Sequence, residues 1–201
     1  MSLDFLTDDL LIKNNSFDGP VVVTGAAGCI AAWVLTILHR SHIPCIAIDL
    51  TDNKNRLELL LGNETNKIDW KVCDITHLEK LSKIITSYKP SAIIHLAGLQ
   101  VPFCAENPAL GARVNVEGTI NILEIARKTN IKRTVYASSV AALGLPPNGP
   151  WKETLYGAYK LANEHTAFVY WSDWQVPSIG IRPNIVYGLA RDQGMSSKNT
   201  L

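Results

Sequence analysis

Residues 21–31 read V-V-V-T-G-A-A-G-C-I-A, and this stretch decides the fold. Its three valines are β-branched and favour a strand, whereas the residues after Gly28 favour a helix. Between them, Gly25 permits a sharp turn, and Gly28 lets the backbone approach a pyrophosphate without a side chain in the way. Free N–H groups at the start of the helix then meet the phosphates. The stretch predicts a phosphate-binding turn with contacts at Gly25, Ala27, Gly28, Cys29 and Ile30; the alternative is an ordinary glycine-rich turn.

Apolar runs alternate with helical patterns along the chain, which is typical of a parallel sheet joined by crossover helices. The predicted strands lie near Pro20–Thr24, Pro44–Asp49, Ile68–Cys73, Ala92–Leu96, Arg133–Ser138 and Ser178–Arg182. The predicted helices lie near Gly28–Arg40, Lys54–Leu61, His77–Ser87, Pro108–Thr129 and Thr154–Trp174. We therefore expect an α/β fold of the Rossmann-like, doubly wound type, with three α/β/α layers around a parallel sheet.

The chain has 201 residues, 47% of them hydrophobic, and a formal net charge of +1, which fits one globular domain. A balance so close to neutral argues against a nucleic-acid partner and gives no reason to expect a membrane partner. The uncharged stretch Val21–Leu38 is near the lower length limit for a membrane span, but its glycine cluster favours strand, turn and helix.

Four cysteines without a C-x-x-C pair predict reduced thiols, and we expect no metal site. The acidic start of the chain is unlike a secretory signal, so we expect a cytoplasmic protein.

Asp49 ends the predicted second strand, at about the separation from the glycines where an acidic residue binds the adenosine ribose of NAD. A carboxylate at this position would repel the additional phosphate of NADP. We therefore expect NAD as the cofactor, with NADP less favoured, although Lys54 and Arg56 lie close enough to reduce this preference. The alternative role for Asp49 is a turn or cap residue.

Tyr156 and Lys160 form a Y-x-x-x-K motif, and in a helix they share one face because residues four apart are neighbours. The motif alone is weak, but it follows the fifth predicted strand, which ends in V-Y-A-S-S. Ligands of open α/β sheets bind at the carboxyl ends of strands, so Ser138 and Ser139 lie where chemistry is expected. The alternative is a packing tyrosine and a surface lysine on an amphipathic helix.

These residue types suit the oxidation of a hydroxyl group, because a hydride leaves carbon more easily when the attached hydroxyl loses its proton. Tyr156 can accept that proton only as a phenolate, and lowering its pKa from about 10 to neutrality requires roughly 4 kcal/mol. An ammonium at about 4 Å supplies an interaction of this order, which assigns that role to Lys160. Ser139 would hold the substrate oxygen. Tyr159 is the rival base, but as the direct neighbour of Lys160 it would point elsewhere.

The ordered motifs resemble those of the extended short-chain dehydrogenase/reductases, the NAD-dependent epimerase/dehydratase family. They run from Val21 to Gly188 and read T-G-A-A-G-C-I-A, V-C-D-I-T, I-I-H-L-A-G, V-N-V-E-G-T-I-N-I-L-E-I-A, V-Y-A-S-S, Y-G-A-Y-K and I-R-P-N-I-V-Y-G. The resemblance implies a nicotinamide cofactor and a Ser139–Tyr156–Lys160 catalytic set. It also implies further cofactor contacts at Asp74, Ile75, Leu96, Ala97, Gly98, Asn115, Ser138 and Pro183, with Tyr156 and Lys160 on the nicotinamide side. It makes Asn115 a structural asparagine, and we expect His95 to be a packed strand residue.

Three departures narrow the activity that the resemblance implies. Ser139 is followed by Val140 and Ala141, where sugar-nucleotide 4,6-dehydratases of the family carry an Asp-Glu pair, so dehydratase chemistry is disfavoured. Leu143 stands directly before Gly144, at a position where members of the family commonly carry a tyrosine that belongs to the substrate side. The chain stops at Leu201, where relatives continue into a small substrate domain that we expect to be largely absent here.

The sequence therefore predicts an NAD-dependent epimerase or dehydrogenase acting on a small molecule, a sugar or sugar nucleotide. The alternatives are a dehydrogenase of a non-sugar hydroxyl substrate and a non-catalytic dinucleotide-binding or redox-sensing module. By resemblance, the helices Pro108–Thr129 and Thr154–Trp174 would pair with their copies in a homodimer. Aromatic residues in the second helix suit an interface, although packing within one chain is an equally good explanation.

We divide the chain into an N-terminal extension (1–19), an NAD-binding domain (20–188) and the start of a substrate-binding region (189–201). The segment after Gly188 is polar and lacks a periodic apolar face, so we expect it to be loop-like and mobile. We also expect the 201-residue chain to bind cofactor but to turn over substrate poorly, because substrate positioning contributes much of the rate.

Overall fold

A computed structural model describes residues 7–12, 17–144 and 153–191. The six strands form one parallel sheet in the order β3-β2-β1-β4-β5-β6. They are β1 (Val21–Thr24), β2 (Cys45–Asp49), β3 (Asp69–Val72), β4 (Ala92–His95), β5 (Thr134–Ala137) and β6 (Ser178–Ile181). The strand order reverses between β1 and β4, which is where ligands bind in open sheets of this type. The predicted α/β doubly wound fold is confirmed.

Seven α-helices connect or flank these strands in the described part of the chain. They are α1 (Cys29–Arg40), α2 (Asn55–Leu61), α3 (Leu78–Tyr88), α4 (Val101–Glu106), α5 (Pro108–Ala112), α6 (Gly118–Thr129) and α7 (Leu155–Trp174). Shorter 3₁₀ turns lie at Asp8–Leu10, Gly62–Lys67 and Val140–Leu143, and a π-helical segment spans Arg113–Glu117. The predicted strand and helix positions agree with these bounds to within one or two residues, except around α4–α6.

The sheet is covered on both faces, because alternate residues of β1 enter two different cores. Val22 packs with the α3, α6 and α7 side, whereas Val21 and Val23 pack with the α1 and α2 side. All four residues of β1 are fully buried. A strand buried on both faces carries a continuous apolar run, which is why V-V-V predicts it so clearly.

The region predicted as one helix, Pro108–Thr129, is three consecutive pieces, and α4 before it is absent from the prediction. Asn107 ends α4 with a non-helical φ of −137° and caps α5, its side chain accepting the Leu110 N–H. The π-helical segment then joins α5 to α6. An apolar period cannot reveal these breaks, because they depend on side-chain hydrogen bonds to the backbone.

The proposed boundaries at both ends lie partly outside the described residues. Near the start, Arg40 at the end of α1 pairs with Asp8 at 3.2 Å, so part of the 1–19 segment lies against α1. Residues 189–191 were expected to be loop-like, and they form a turn in which Leu189 O accepts the Trp33 Nε1–H at 3.1 Å. Residues 192–201 and the break predicted at 145–151 lie outside the description. None of the described helices combines the length and apolar character that crossing a bilayer requires.

Candidate functional site

The glycine turn after β1 has a geometry that only glycine satisfies. Gly25 has a φ of +70°, and a Cβ there would lie 2.6 Å from the Ala97 backbone nitrogen. Gly28 precedes α1 in an extended conformation, and having no side chain it cannot cap the helix. The first turn of α1 therefore begins without a side-chain cap, which is the geometry at which a helix N-terminus can meet an anion, and a phosphate contact here stays a prediction.

Two side chains from the β2–α2 region form hydrogen bonds with the backbone N–H and carbonyl of Ala27. Asp49 Oδ2 accepts the Ala27 N–H at 3.0 Å, and its Oδ1 accepts the Thr51 N–H at 3.2 Å. Arg56 Nη1 donates to the Ala27 carbonyl at 2.6 Å. Asp49 thus has a structural role in the turn besides any contact with a ribose. The sequence gives no signal for the Arg56 contact, because it depends on how α2 lies against the turn.

Asp74 and Ile75 follow β3 and have local structural partners. The Asp74 carboxylate accepts the Thr76 N–H at 2.9 Å and the Thr76 hydroxyl at 2.8 Å, which shapes the entry to α3. Ile75 is buried against Gly118, where a Cβ would lie 2.5 Å from Ile75 Cδ1. An adenine contact by these residues stays a prediction.

The segment after β4 brings Leu96, Ala97 and Gly98 beside the glycine turn. The N–H of Leu96 donates to Thr24 O at 3.1 Å, which continues the pairing with β1. His95 just before it is buried, with Nδ1 2.7 Å from Thr24 Oγ1 and Nε2 3.2 Å from Thr119 Oγ1. Burial, together with the charge of Lys160, lowers the pKa of His95 to about 3, so the imidazole is neutral. His95 is the packed residue that the sequence predicts.

Asn115 organises the layer between this segment and the helices. Its Nδ2 donates to Leu99 O and Gly111 O, both at 3.1 Å. Its main-chain oxygen, in the π-helical segment, accepts from Asn163 Nδ2 at 2.9 Å and from the Thr119 hydroxyl at 2.7 Å. A Cβ on Gly98 would lie 2.7 Å from Asn115 Oδ1, so Asn115 acts on the shape of the cleft, consistent with the structural role expected of it.

Ser139, Tyr156 and Lys160 come together from the end of β5 and the first turns of α7. The Ser139 hydroxyl accepts the Ala141 N–H at 3.1 Å and lies close enough to the Tyr156 phenol to lower the pKa of that group. Lys160 is only 5% exposed; its Nζ donates to Ala137 O at 2.6 Å and lies 5.5 Å from the Tyr156 ring centroid. The Y-x-x-x-K spacing therefore places both residues on one helix face, as predicted.

The electrostatics of this group differ from the expected arrangement. Burial raises the pKa of Tyr156, and the hydrogen bond from Ser139 and the charge of Arg191 act in the opposite direction without cancelling it. Burial lowers the pKa of Lys160 to about 8. The expectation that Lys160 brings Tyr156 toward neutrality is not met in this structure, since desolvation of the phenol dominates and the ammonium is engaged by a carbonyl.

Ser138 and Pro183, both predicted cofactor contacts, have other partners. The Ser138 hydroxyl donates to Glu164, whose carboxylate also pairs with Arg182 at 2.5–2.7 Å. Pro183 O accepts the Val140 N–H at 3.2 Å, which ties the loop after β6 to the residues after Ser139. The hydroxyl proton of Ser138 and its N–H, which donates to Ile181 O at 2.7 Å, are thus both engaged within the protein, and its cofactor contact stays a prediction.

A cleft of about 200 Å³ lies between the glycine turn and the segment after β4. Its lining includes three predicted cofactor residues, Gly28, Cys29 and Gly98. The lining also includes Arg56, which the sequence analysis considered only for its effect on the choice between NAD and NADP, and four residues that it missed, Leu99, Gln100, Phe103 and Arg191. Within the described ranges, His, Cys, Asp and Glu side chains form no group of three that could hold a metal ion.

A parallel sheet with this strand order and a glycine turn at its switch point defines a Rossmann-type fold. The sequence matches the NAD dependent epimerase/dehydratase family over residues 21–200. The chain therefore belongs to that family, as the resemblance predicts.

The proteins that this chain resembles are named for two different activities, UDP-glucose 4-epimerase and L-threonine dehydrogenase. UDP-glucose 4-epimerase 2 of Oryza sativa subsp. japonica is 30% identical over 157 residues, covering 72% of this chain and 38% of that protein. The UDP-glucose 4-epimerase of Mycolicibacterium smegmatis is 28% identical over 180 residues, covering 85% and 57%. The solved L-threonine dehydrogenase of Clostridium difficile superposes with a TM-score of 0.68 at 27% identity, covering 82% and 52%. The chain thus spans roughly half the length of the relatives it matches.

The buried position of Lys160 predicts a specific pH dependence of stability. Because its pKa falls from 10.5 to about 8 on folding, only the unfolded state holds this proton between those two values. The contribution of this group to the free energy of unfolding therefore rises with pH above about 8, by up to about 1.4 kcal/mol per unit. Lys160→Met, neutral in both states, lacks this rise.

The measurement is urea unfolding of wild type and Lys160→Met at intervals from pH 7 to 10. Lys83→Met, on an exposed face of α3, is the matched control and should follow wild type. Parallel pH dependences for wild type and Lys160→Met would contradict a depressed pKa.

Proposed function

We propose that this protein is an NAD-dependent enzyme that oxidises a hydroxyl of a sugar or sugar nucleotide, as an epimerase or a dehydrogenase. The observation that carries the proposal is the Ser139–Tyr156–Lys160 group, which lies at the same end of the sheet as the glycine turn. Membership of the NAD dependent epimerase/dehydratase family supports the cofactor. The likeness to UDP-glucose 4-epimerases supports the sugar-nucleotide class.

The residues around the cleft fit a dinucleotide. Gly28 and the first N–H groups of α1 suit the diphosphate, and Asp49 at the end of β2 suits the adenosine ribose. On the other side, a Cβ on Gly98 would lie 3.5 Å from Lys160 Nζ, so only the side-chain-free Gly98 separates the buried ammonium from the cleft that Gly98 lines. In this proposal Lys160 donates hydrogen bonds to the hydroxyls of the nicotinamide ribose. Bound NAD would supply the two-electron acceptor.

Side chains of this protein transfer the proton of the substrate hydroxyl. Ser139 holds the substrate oxygen, and Tyr156 exchanges a proton with it. Burial favours the protonated phenol, which is the acid form needed to return a proton to a ketone. The base form needed for oxidation is favoured by the hydrogen bond from Ser139 and by the positive charge of Arg191, both of which lower the pKa of Tyr156. An epimerase uses both forms within one turnover, and a dehydrogenase uses one form in each direction.

A dehydrogenase acting on a non-sugar hydroxyl is the second candidate, and the likeness to L-threonine dehydrogenase favours it. The two activities differ in products. A dehydrogenase forms NADH stoichiometrically, with L-threonine or with UDP-glucose as the oxidised substrate. An epimerase interconverts UDP-glucose and its 4-epimer without net NADH. The third candidate, a non-catalytic dinucleotide sensor, does neither.

Replacing the proposed proton acceptor tests the mechanism. Tyr156→Phe keeps the ring and removes the hydroxyl, so turnover should fall by about 10²–10⁴-fold while NAD affinity changes little. Tyr159→Phe is the matched control on the same helix, because the Tyr159 hydroxyl donates to Pro108 O, away from Lys160. Rates are measured on this chain and on any longer natural form, since the 201-residue chain is expected to be weakly active. Full turnover by Tyr156→Phe would exclude the assigned role.

The position of Asp49 predicts the choice of cofactor. The 2′-phosphate of NADP would approach this carboxylate, so NAD should bind about tenfold more tightly or better. Calorimetric titration with both cofactors measures the ratio. Asp49→Asn keeps an acceptor for the Ala27 N–H and should reduce the preference, whereas Asp52→Asn, exposed in the following loop, should not. Tighter NADP binding by wild type would mean that Lys54 or Arg56 determines the preference.

We also propose a homodimer formed through the α5–α6 region and α7. The apolar side chains of Leu161, Phe168 and Trp171 on α7 are 38–69% exposed, which is more than packing within this chain requires. Light scattering at micromolar concentration should give twice the mass of the chain, and Phe168→Ser should reduce the dimer fraction. A wild-type mass equal to one chain would contradict the proposal.

A further inference from the structure

Two arginines from distant parts of the chain reach the cleft beside the glycine turn. Arg56 comes from the first turn of α2, and Arg191 comes from the turn that follows β6. Both line the 200 Å³ cleft together with Gly28 and Gly98. The family motifs described above include neither arginine, and the proposed reaction does not assign them a ligand.

Each arginine is held in position by its own structural support. The guanidinium of Arg56 is anchored by its bond to the Ala27 carbonyl, which keeps it against the glycine turn. Arg191 follows the buried Ala190, and its N–H donates to Gly188 O at 3.1 Å. The Trp33 indole on α1 donates to Leu189 O, so this turn packs onto the helix that carries the phosphate-binding N–H groups. Arg56 and Arg191 therefore line one cleft, the first supported by the glycine turn and the second carried on a turn that packs against α1.

The chemistry of the cleft indicates what this pair binds. A diphosphate carries two negative charges, and guanidinium groups bind phosphate oxygens with two parallel hydrogen bonds. The N–H groups at the start of α1 provide only a partial positive charge. Two full charges that line the same cleft as Gly28 match the two negative charges of a diphosphate.

We propose that Arg56 and Arg191, which line the same cleft as Gly28, clamp the diphosphate of the bound dinucleotide beside the glycine turn. The inference rests on the proposed function, since it takes the cleft as the dinucleotide site. It adds that the turn Gly188–Arg191, through its contact with Trp33, is part of the cofactor site. The residues after β6 thus contribute to cofactor affinity as well as to the substrate side.

The test measures NAD and ADP-ribose binding by calorimetry for wild type, Arg191→Gln and Arg56→Gln of this chain, at low and high salt. Each variant should weaken both ligands by roughly tenfold or more, the scale of a hydrogen bond to a charged group. Each should also reduce the salt dependence of binding, because one ionic contact is gone. Lys83→Gln removes the same charge from an exposed face of α3 and should bind as wild type does.

A second readout separates ligand binding from a structural role. Arg56 also supports the glycine turn, so the melting temperature of each variant is measured without ligand. For Arg191→Gln we expect that temperature to be unchanged while affinity falls. Arg56→Lys keeps a donor for Ala27 O but loses the two-pronged guanidinium, and it should bind NAD more weakly than wild type at unchanged melting temperature.

Unchanged NAD affinity in Arg191→Gln would overturn the proposal and would leave Arg191 to the phenol or to a substrate anion. Weakened binding with an unchanged salt dependence would also overturn it, because the loss would then be structural. If wild type bound neither NAD nor ADP-ribose, the proposed function itself would fail, which distinguishes that outcome from the loss of the clamp alone.

Discussion

The close approach of Gly25 to the backbone after β4 is the contact on which the rest of the site depends. A Cβ at this position would lie 2.6–2.8 Å from three backbone atoms of Leu96 and Ala97, none of which can move without displacing β4. The contact places the start of α1, the end of β2 and the Leu96–Gly98 segment around one cleft. The backbone of the sheet therefore fixes the position of the glycine turn independently of the side chains of the site.

A buried polar layer then joins that cleft to the helices. Asn115, Asn163, Thr119 and His95 exchange hydrogen bonds across α6, α7 and β4. Asn115 Oδ1, beside Gly98, is one of the buried acceptors that lack a hydrogen-bond partner within the described residues. An unsatisfied buried polar group costs about 1–3 kcal/mol, so its presence next to the cleft is consistent with a site that a ligand or water completes.

Desolvation sets the protonation of the Tyr156–Lys160 pair in the described state. Burial disfavours the charged form of both groups. It therefore lowers the pKa of Lys160 to about 8 and raises the pKa of Tyr156 further above neutrality. A pair arranged in this way responds strongly to any further charge that enters the cleft. The Arg191 side chain is one such charge, and it comes from a segment whose sequence carries no recognisable motif.

The sequence alone determined the α/β fold, because β-branched runs and helical periods are local patterns that burial on both faces of a sheet imposes. It also determined the glycine turn and the shared face of Tyr156 and Lys160, since both follow from short spacings. The π-helical segment, the engagement of Ser138 by Glu164 and the two cleft arginines were decided only by the tertiary structure. Each of these depends on contacts between residues far apart in the chain, and no local period or spacing encodes such contacts. The raised pKa of Tyr156 belongs to the same class, because desolvation is a property of everything packed around the phenol and not of its neighbours in sequence.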